Sequence, residues 1–402
     1  MNIIVLTSAM IDDEFNQYVS ITKIKPNPSN QNFYSKLIKS LSYKNNVSVL
    51  SLRPFVKGSL METFLESRMS VDGMVHYYYP YMEVGKIFKM FKQEDEILET
   101  FDQIVNEQHY ESFVVIVDIL RRSLLNAALK IKKKYQMPII AVLTDNASNL
   151  TGAKRSYVTS LRYKASKFDG YLALSGDLNR IYNSQGKPNY IFEGLVDDVE
   201  TMPRLTIQDY FFFGGALYER YGVKHLIDAF HKSTSKYKLV IAGHGDLENY
   251  IETISKKDQR ILFLNQVDKK TMYGLEQNAI ANINPRPFST RLDKESVPSK
   301  LLEYFASGAP TITTMHTRLH EIFSDNAIWL INDNENGIAK AIDSFDDYDY
   351  KELKKGASSA RLKVYELYSL KNQGEAITYF LTDLVNSSSR EWINLSLVRF
   401  DS

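Results

Sequence analysis

From residue 210 to residue 331, short apolar runs alternate with amphipathic stretches at an even pace. The runs fall at 210–213, 238–242, 261–264, 279–284, 311–314 and 327–331. Helical spacing fills 224–231, 247–255, 270–277, 298–306 and 337–345. Short apolar strands separated by helices bury themselves in a parallel sheet covered on both faces. The first half keeps the same rhythm, with strands expected at 3–6, 47–52, 76–81, 113–117, 139–143, 171–174 and 190–192. Its helices are expected at 32–41, 96–107, 123–133 and 155–167. Asp197, Asp198 and Pro203 interrupt the pattern over 196–205. The reading is α/β, with two doubly wound domains, 1–198 and 199–374, facing each other across a cleft.

Composition agrees. A chain of 402 residues holds two or three substantial cores. With 44% hydrophobic and 24% charged residues it reads as an ordinary soluble globular protein. A net charge of +1 supplies no global field for nucleic acid. The charge is unevenly spread. Through Leu195 there are 24 Lys and Arg against 19 Asp and Glu, and after it 25 against 29, which suits two domains with different partners. There is no cysteine, hence no disulfide framework, zinc–thiolate site or thiol nucleophile. Residues 1–8 lack a basic leader and are too short an apolar run for a signal peptide, so they read as a first buried strand. No apolar run is long enough to span a membrane. The expected location is the cytoplasm, with room for peripheral contact at the inner face of the membrane.

Residues 279–308 carry the chemistry. A buried strand ends at Asn284, and Pro285, Arg286 and Pro287 lead into a polar loop. A helix opens at Pro298 and closes at Gly308. Proline is favoured in a first helical turn, where its missing N–H costs nothing. Ser296 is placed to cap, Val297 follows it, and Ser299 and Lys300 fall in the first turn. Amides and dipole at a helix start favour an anion. Lys300 adds a point charge, so a phosphate suits the place. Glu295 precedes the helix and Glu303 lies more than a turn inside it, with seven residues between them. Carboxylates accept hydrogen bonds from hydroxyls, so polyols at both ends are natural partners. A diphosphate carrying two polyols is a nucleotide sugar.

This stretch resembles the Glu-x7-Glu signature of the retaining glycosyltransferase family 4, the bacterial group 1 enzymes of the GT-B fold. The resemblance extends through the run from Pro298 to Gly308, through 213–222 and through 241–246, and covers about 210–331. It implies two Rossmann-like domains. It also implies that Glu295 contacts the donor sugar, Glu303 contacts the ribose, and a terminal helix within 375–402 packs back on the N-terminal domain. The N-terminal domain would hold the acceptor and the C-terminal domain the nucleotide sugar. Gly214 and Gly215 would form a tight turn that lets backbone approach the diphosphate. Gly243 and His244, with Asp246, would line the nucleotide pocket. The family's usual Arg after the glycine and Lys before the later glycine are Ala216 and Tyr221 here. Arg220 and Arg286 stand in as diphosphate clamps. Catalytic roles thus fall to Glu295, Lys300 and Arg220, and donor contacts to Gly214, Gly215, Arg286, Gly243, His244, Ser296, Val297, Pro298, Ser299 and Glu303.

On the acceptor side, 25–32 follows the first strand, and Asn27, Asn30 and Gln31 are read as presenting amides to a sugar. Asp118 and Asp145 each follow an apolar strand, where parallel sheets hold ligands. Asp145 is assigned to the acceptor and Asp118 to helix capping. No metal site is expected: His316 and His320 lack a third ligand, and Asp347 and Asp349 lie in an irregular acidic segment. No cofactor is called for, because the nucleoside-diphosphate sugar is itself the substrate. The basic stretch Lys154, Arg155, Arg162, Lys164 and Lys167 is read as a solvated helix face, with anionic lipid as the alternative. The expected activity is a metal-independent, retaining transfer from a UDP-sugar to a sugar, lipid-linked or protein acceptor, with room for a homo- or hetero-oligomer. The alternative is a non-catalytic GT-B subunit that partners an active transferase. The loss of cations at Ala216 and Tyr221 motivates it.

Overall fold

The computed structural model describes residues 1–22, 28–54, 67–81, 89–150, 152–289, 294–295 and 297–398. The chain divides into two units. Met1–Leu195 joins Leu370–Ser402 in the first, and Val196–Ser369 is the second.

In the first unit β1 (Asn2–Thr7) runs up the middle of an eight-stranded sheet. Its side chains alternate between faces, as a pleated strand requires. Ile4 and Leu6 enter one apolar cluster, Ile3 and Val5 the other. A strand apolar on both sides demands helices on both. β2 (Asn46–Ser51), β3 (Arg68–Asp72) and β4 (Val75–Tyr79) lie to one side of β1. β5 (Val114–Asp118), β6 (Ile139–Leu143), β7 (Gly170–Ala173) and β8 (Asn189–Ile191) lie to the other. The order is β3-β4-β2-β1-β5-β6-β7-β8, parallel except for the β3–β4 pair. β3 was not expected from sequence: its antiparallel edge is mostly exposed, so it carries no apolar run. Among the helices, α1 (Asp12–Thr22), α2 (Pro28–Ser42), α3 (Lys89–Glu107), α4 (Arg122–Tyr135), α5 (Arg155–Ala165) and α6 (Gly176–Tyr182) follow in chain order.

The second unit is a six-stranded parallel sheet. Its strands are β9 (Tyr210–Ala216), β10 (Lys238–His244), β11 (Ile261–Phe263), β12 (Ala281–Asn284), β13 (Thr311–Thr313) and β14 (Ile328–Trp329). Their order is β11-β10-β9-β12-β13-β14. Between them run α7 (Val223–Lys232), α8 (Glu248–Ser255), α9 (Lys269–Asn278), α10 (Ser299–Ser307), α11 (Thr317–Phe323) and α12 (Glu335–Asp343). Phe211 and Phe213 face α7 and α12, while Tyr210 and Phe212 face α9 and Tyr304. α13 (Tyr350–Tyr368) closes the unit over Leu302 and Phe305.

α14 (Leu370–Val398) then returns to the first unit. Leu370, Ile377, Leu381 and Leu384 bury themselves in the cluster holding Leu37, Leu41 and Ile140. Asn45 Nδ2 donates to Thr378 Oγ1 at 2.8 Å, and Tyr190 OH to Gln373 Oε1 at 3.1 Å. Among the described residues no helix is long and apolar enough to cross a membrane.

Candidate functional site

Open α/β sheets hold ligands outside the carboxyl ends of their strands, where the strand order reverses. In the second unit that point lies between β9 and β12. β9 ends there in Gly214, Gly215 and Ala216, and β12 in Asn284.

Two close approaches fix this edge. A Cβ on Gly243 would stand 1.8 Å from the Gly215 carbonyl oxygen, and Gly243 has φ +149°. A Cβ on Gly222, at φ +76°, would stand 1.9 Å from the Pro285 carbonyl oxygen. The loop after β9 is thereby pressed onto the loop after β12. Beneath them the Tyr304 hydroxyl accepts from Gly214 N–H at 3.0 Å and reaches the Gly214 carbonyl at 3.3 Å. Tyr304 is fully buried, so these bonds have no competition from water.

α10 starts beside this turn. Pro298 is its N-cap and makes no side-chain cap bond; Gly308, at φ +72°, ends it in the left-handed conformation. Ser299 is exposed in the first turn, Val297 packs against the cluster of Leu301 and Phe305, and Glu295 is half-buried ahead of the helix. Lys300 does not stand alone. Its Nζ lies 2.7 Å from Glu303 Oε2 and 3.3 Å from Glu276 Oε1. Burial opposes its charge, but the carboxylates of Glu303 and Glu276 outweigh that and hold it well above the usual lysine range. A single ammonium thus serves two carboxylates.

Glu276 is the residue sequence reading missed. It is 1% exposed on α9. The signal was present: it lies four residues after Met272, on the helix face that packs inward with Leu275. One turn earlier Tyr273 OH donates to Asp197 Oδ2 at 2.8 Å, and Lys269 Nζ lies 3.0 Å from the same oxygen. Burial, then the Asp197 charge, pushes the Tyr273 hydroxyl far up. Asp197, Tyr273, Gln277, Glu276 and Glu303 line one pocket.

The substitute cations meet at Tyr221. The Arg220 guanidinium lies over the rings of Tyr218 and Tyr221, 4.7 and 5.0 Å from their centroids. Burial lowers the Arg286 pKa, and the same Tyr221 opposes the shift. His244 is exposed and paired with Glu248, whose Oε1 also accepts from Gly245 N–H at 2.9 Å. Gly214, Gly215, Gly243, Lys300 and Glu303 are therefore brought together, with Arg220 and Arg286 on the adjoining loops. Ser296 lies outside the described residues.

The first unit reverses its strand order between β1 and β5. The acceptor-side candidates lie near this point. Gln31 is 4% exposed: its Nε2 donates to Met10 O and Asp12 Oδ1, and its Oε1 accepts from Met10 N–H. Those bonds pin the loop after β1, so its amide is not presented outward. Asn30 donates to Asp118 Oδ2 at 3.1 Å and accepts from Ser8 Oγ at 3.0 Å. Asp118 is fully buried; desolvation raises its pKa, against the bond from Asn30. Asp145 Oδ1 accepts from Asn146 N–H and Asn149 Nδ2, holding a one-turn helix. Asn27 lies outside the described residues.

His316 caps α11, and Asp349 caps α13. On α5, Lys164 Nζ donates to Asn126 Oδ1 at 2.6 Å. Among the described residues no group of three His, Asp or Glu could hold a metal ion.

Residues 203–360 match the family described as glycosyl transferases group 1. That match spans most of the second unit, which is similar to the group 1 glycosyltransferases. An uncharacterized glycosyltransferase of Methanocaldococcus jannaschii is 30% identical over 168 residues, 40% of this chain and 41% of that relative's length. Among solved structures, sucrose-phosphate synthase from Thermosynechococcus elongatus superposes with TM-score 0.69 at 11% identity, over 96% of this chain and 100% of the other. Anabaena HepE in complex with UDP and glucose superposes with TM-score 0.64 at 14% identity, over 95% of this chain and 100% of the other. Likeness at such identities speaks for the fold, which is GT-B.

Proposed function

We propose that this chain transfers a sugar from a UDP-sugar to a hydroxyl acceptor, with retention at the anomeric carbon and without a metal. The observation that supports it is the Gly215, Lys300 and Glu303 cluster at the switch point of a unit similar to the group 1 glycosyltransferases. The HepE structure, which holds UDP and glucose, supports the choice of nucleotide.

The bond from the anomeric carbon to the distal phosphate oxygen breaks, and charge develops on the diphosphate. The start of α10, Lys300 and Arg220 stabilise that charge where it forms. Glu295 holds hydroxyls of the donor sugar and Glu303 those of the ribose. The departing phosphate takes the proton of the acceptor hydroxyl, whose oxygen bonds the anomeric carbon on the same face. No protein nucleophile is consumed, and UDP and the glycoside leave. The first unit takes the acceptor. With Gln31 and Asn30 committed to internal bonds, its contacts come from other groups near the ends of β1 and β5.

Calorimetry with UDP is the test. Hydrogen bonds to a charged carboxylate are worth about 1.5–3 kcal/mol, so Glu303→Ala should weaken UDP binding about 10- to 100-fold. Absence of UDP binding by the unmutated chain overturns the proposal. Tighter GDP binding overturns the choice of base alone. A product of inverted anomeric configuration overturns retention, and activity abolished by a chelator overturns metal independence.

A further inference from the structure

Lys300 is held from two helices, and the second attachment has its own support. Glu303, three residues on in α10, is a neighbour that any helix offers. Alone it would make a modest pair, because a lysine must give up about 2 kcal/mol of rotamer freedom to stay put. Glu276 differs: its side chain is 2% exposed and sits on a different element. Its backbone is fixed too. Asn282 Nδ2, fully buried in β12, donates to the Glu276 carbonyl at 3.1 Å and to Ser307 Oγ at 3.1 Å. One carboxamide thus ties the end of α9 to the end of α10. Lys300 in turn runs beneath the diphosphate turn: a Cβ on Gly215 would lie 3.8 Å from its Cγ and 3.9 Å from its Cε.

We propose that Glu276 is a positioning residue of the donor site. It fixes Lys300 beneath Gly215 and relieves Glu303 of acting as the sole counter-ion, so that Glu303 can turn to the ribose. An ammonium has three protons to distribute. Two go to the carboxylates of Glu276 and Glu303, and the third is directed to the ligand. Without Glu276, Lys300 collapses onto Glu303 and both ligand contacts weaken together. This inference rests on the proposed nucleotide-sugar function.

The test is UDP calorimetry on the full chain, with a double-mutant cycle between Glu276 and Lys300. Glu276→Ala should weaken UDP binding about tenfold, equivalent to about 1.4 kcal/mol. Glu276→Gln, which keeps an acceptor oxygen in place, should recover affinity to within about threefold of the unmutated chain. In a Lys300→Met background, Glu276→Ala should add less than about twofold. Equal losses in both backgrounds, or no loss at all, overturn the proposal. Should Glu276→Ala fail to fold, Glu276→Asp takes its place: its shortened carboxylate should weaken UDP severalfold, with the same lack of additivity. If the unmutated chain binds no UDP, the functional reading fails and this proposal with it. UDP binding with additive losses refutes this proposal alone.

Discussion

Replacing Tyr304 with Phe removes one oxygen from the fully buried floor beneath the Gly214–Gly215 turn. The ring and its packing against Phe212 and Met272 are kept. The loss is asymmetric. The hydroxyl accepts from Gly214 N–H at 3.0 Å, so the variant strands a donor where water cannot reach. A buried donor left unpaired costs about 1–3 kcal/mol, more than the bond itself contributes. For a unit of this size about 2 kcal/mol lowers Tm by about 4–8 °C. Tyr210→Phe is the control: its hydroxyl donates to Leu275 O at 2.8 Å, and a carbonyl that loses one donor keeps a second lone pair to satisfy elsewhere. Its penalty should be about half as large. Calorimetric melting of both variants checks this, and UDP titration should show Tyr304→Phe about fivefold weaker. Equal melting shifts for the two variants, or none for Tyr304→Phe, would refute the view that the turn hangs on this hydroxyl.

Other outcomes follow from the same geometry. Gly243→Ala places a methyl within 1.8 Å of the Gly215 carbonyl, so it should part the ends of β9 and β10 and lower UDP affinity more than tenfold in a titration. Asp258 is held well below the usual carboxylate range by Arg260, with His231 adding to it. A lowered folded-state pKa stabilises above the unfolded value, about 4, and the benefit is lost as pH falls through the folded one. The Tm gap between the unmutated chain and Asp258→Asn should therefore be full at pH 7, begin to narrow near pH 4 and close only well below it. Gly374→Ala sets a Cβ 1.9 Å from the Ser40 carbonyl, so it should force α14 away from α2 and cost about 1–3 kcal/mol in denaturant unfolding. UDP affinity should be unchanged, because that contact lies wholly in the first unit.

The doubly wound architecture was legible because buried parallel strands leave continuous apolar runs, as in Phe211–Phe213 and Val114–Val117. What escaped was whatever lacked such a run. α1 carries only a short stripe, Phe15, Tyr18 and Val19, within a polar stretch, and β3 is a polar edge. The cluster of Gly214, Lys300 and Glu303 could be read because these residues sit in local motifs whose spacing carries meaning. Glu276 could not be assigned to it, since the pair with Lys300 joins two helices that only the tertiary fold places side by side. Asn30 and Gln31 show the converse limit of local reading. A polar residue in a loop looks available for a ligand, yet the sequence does not say which way its amide turns. Arg220 is legible as a cation, and its place over the rings of Tyr218 and Tyr221 is visible only in three dimensions.

The chain leaves the first unit at Leu195 and re-enters it at Leu370, so the second unit is a guest spliced into its host. Domains usually complete in the order they are translated. Here that order is inverted. Every strand of the guest has emerged from the ribosome while one face of the host, with Leu37, Leu41, Ile140 and Leu172, still awaits α14. The nascent host must carry that apolar face uncovered through the synthesis of the whole guest, and only the arrival of Ile377, Leu381 and Leu384 seals it.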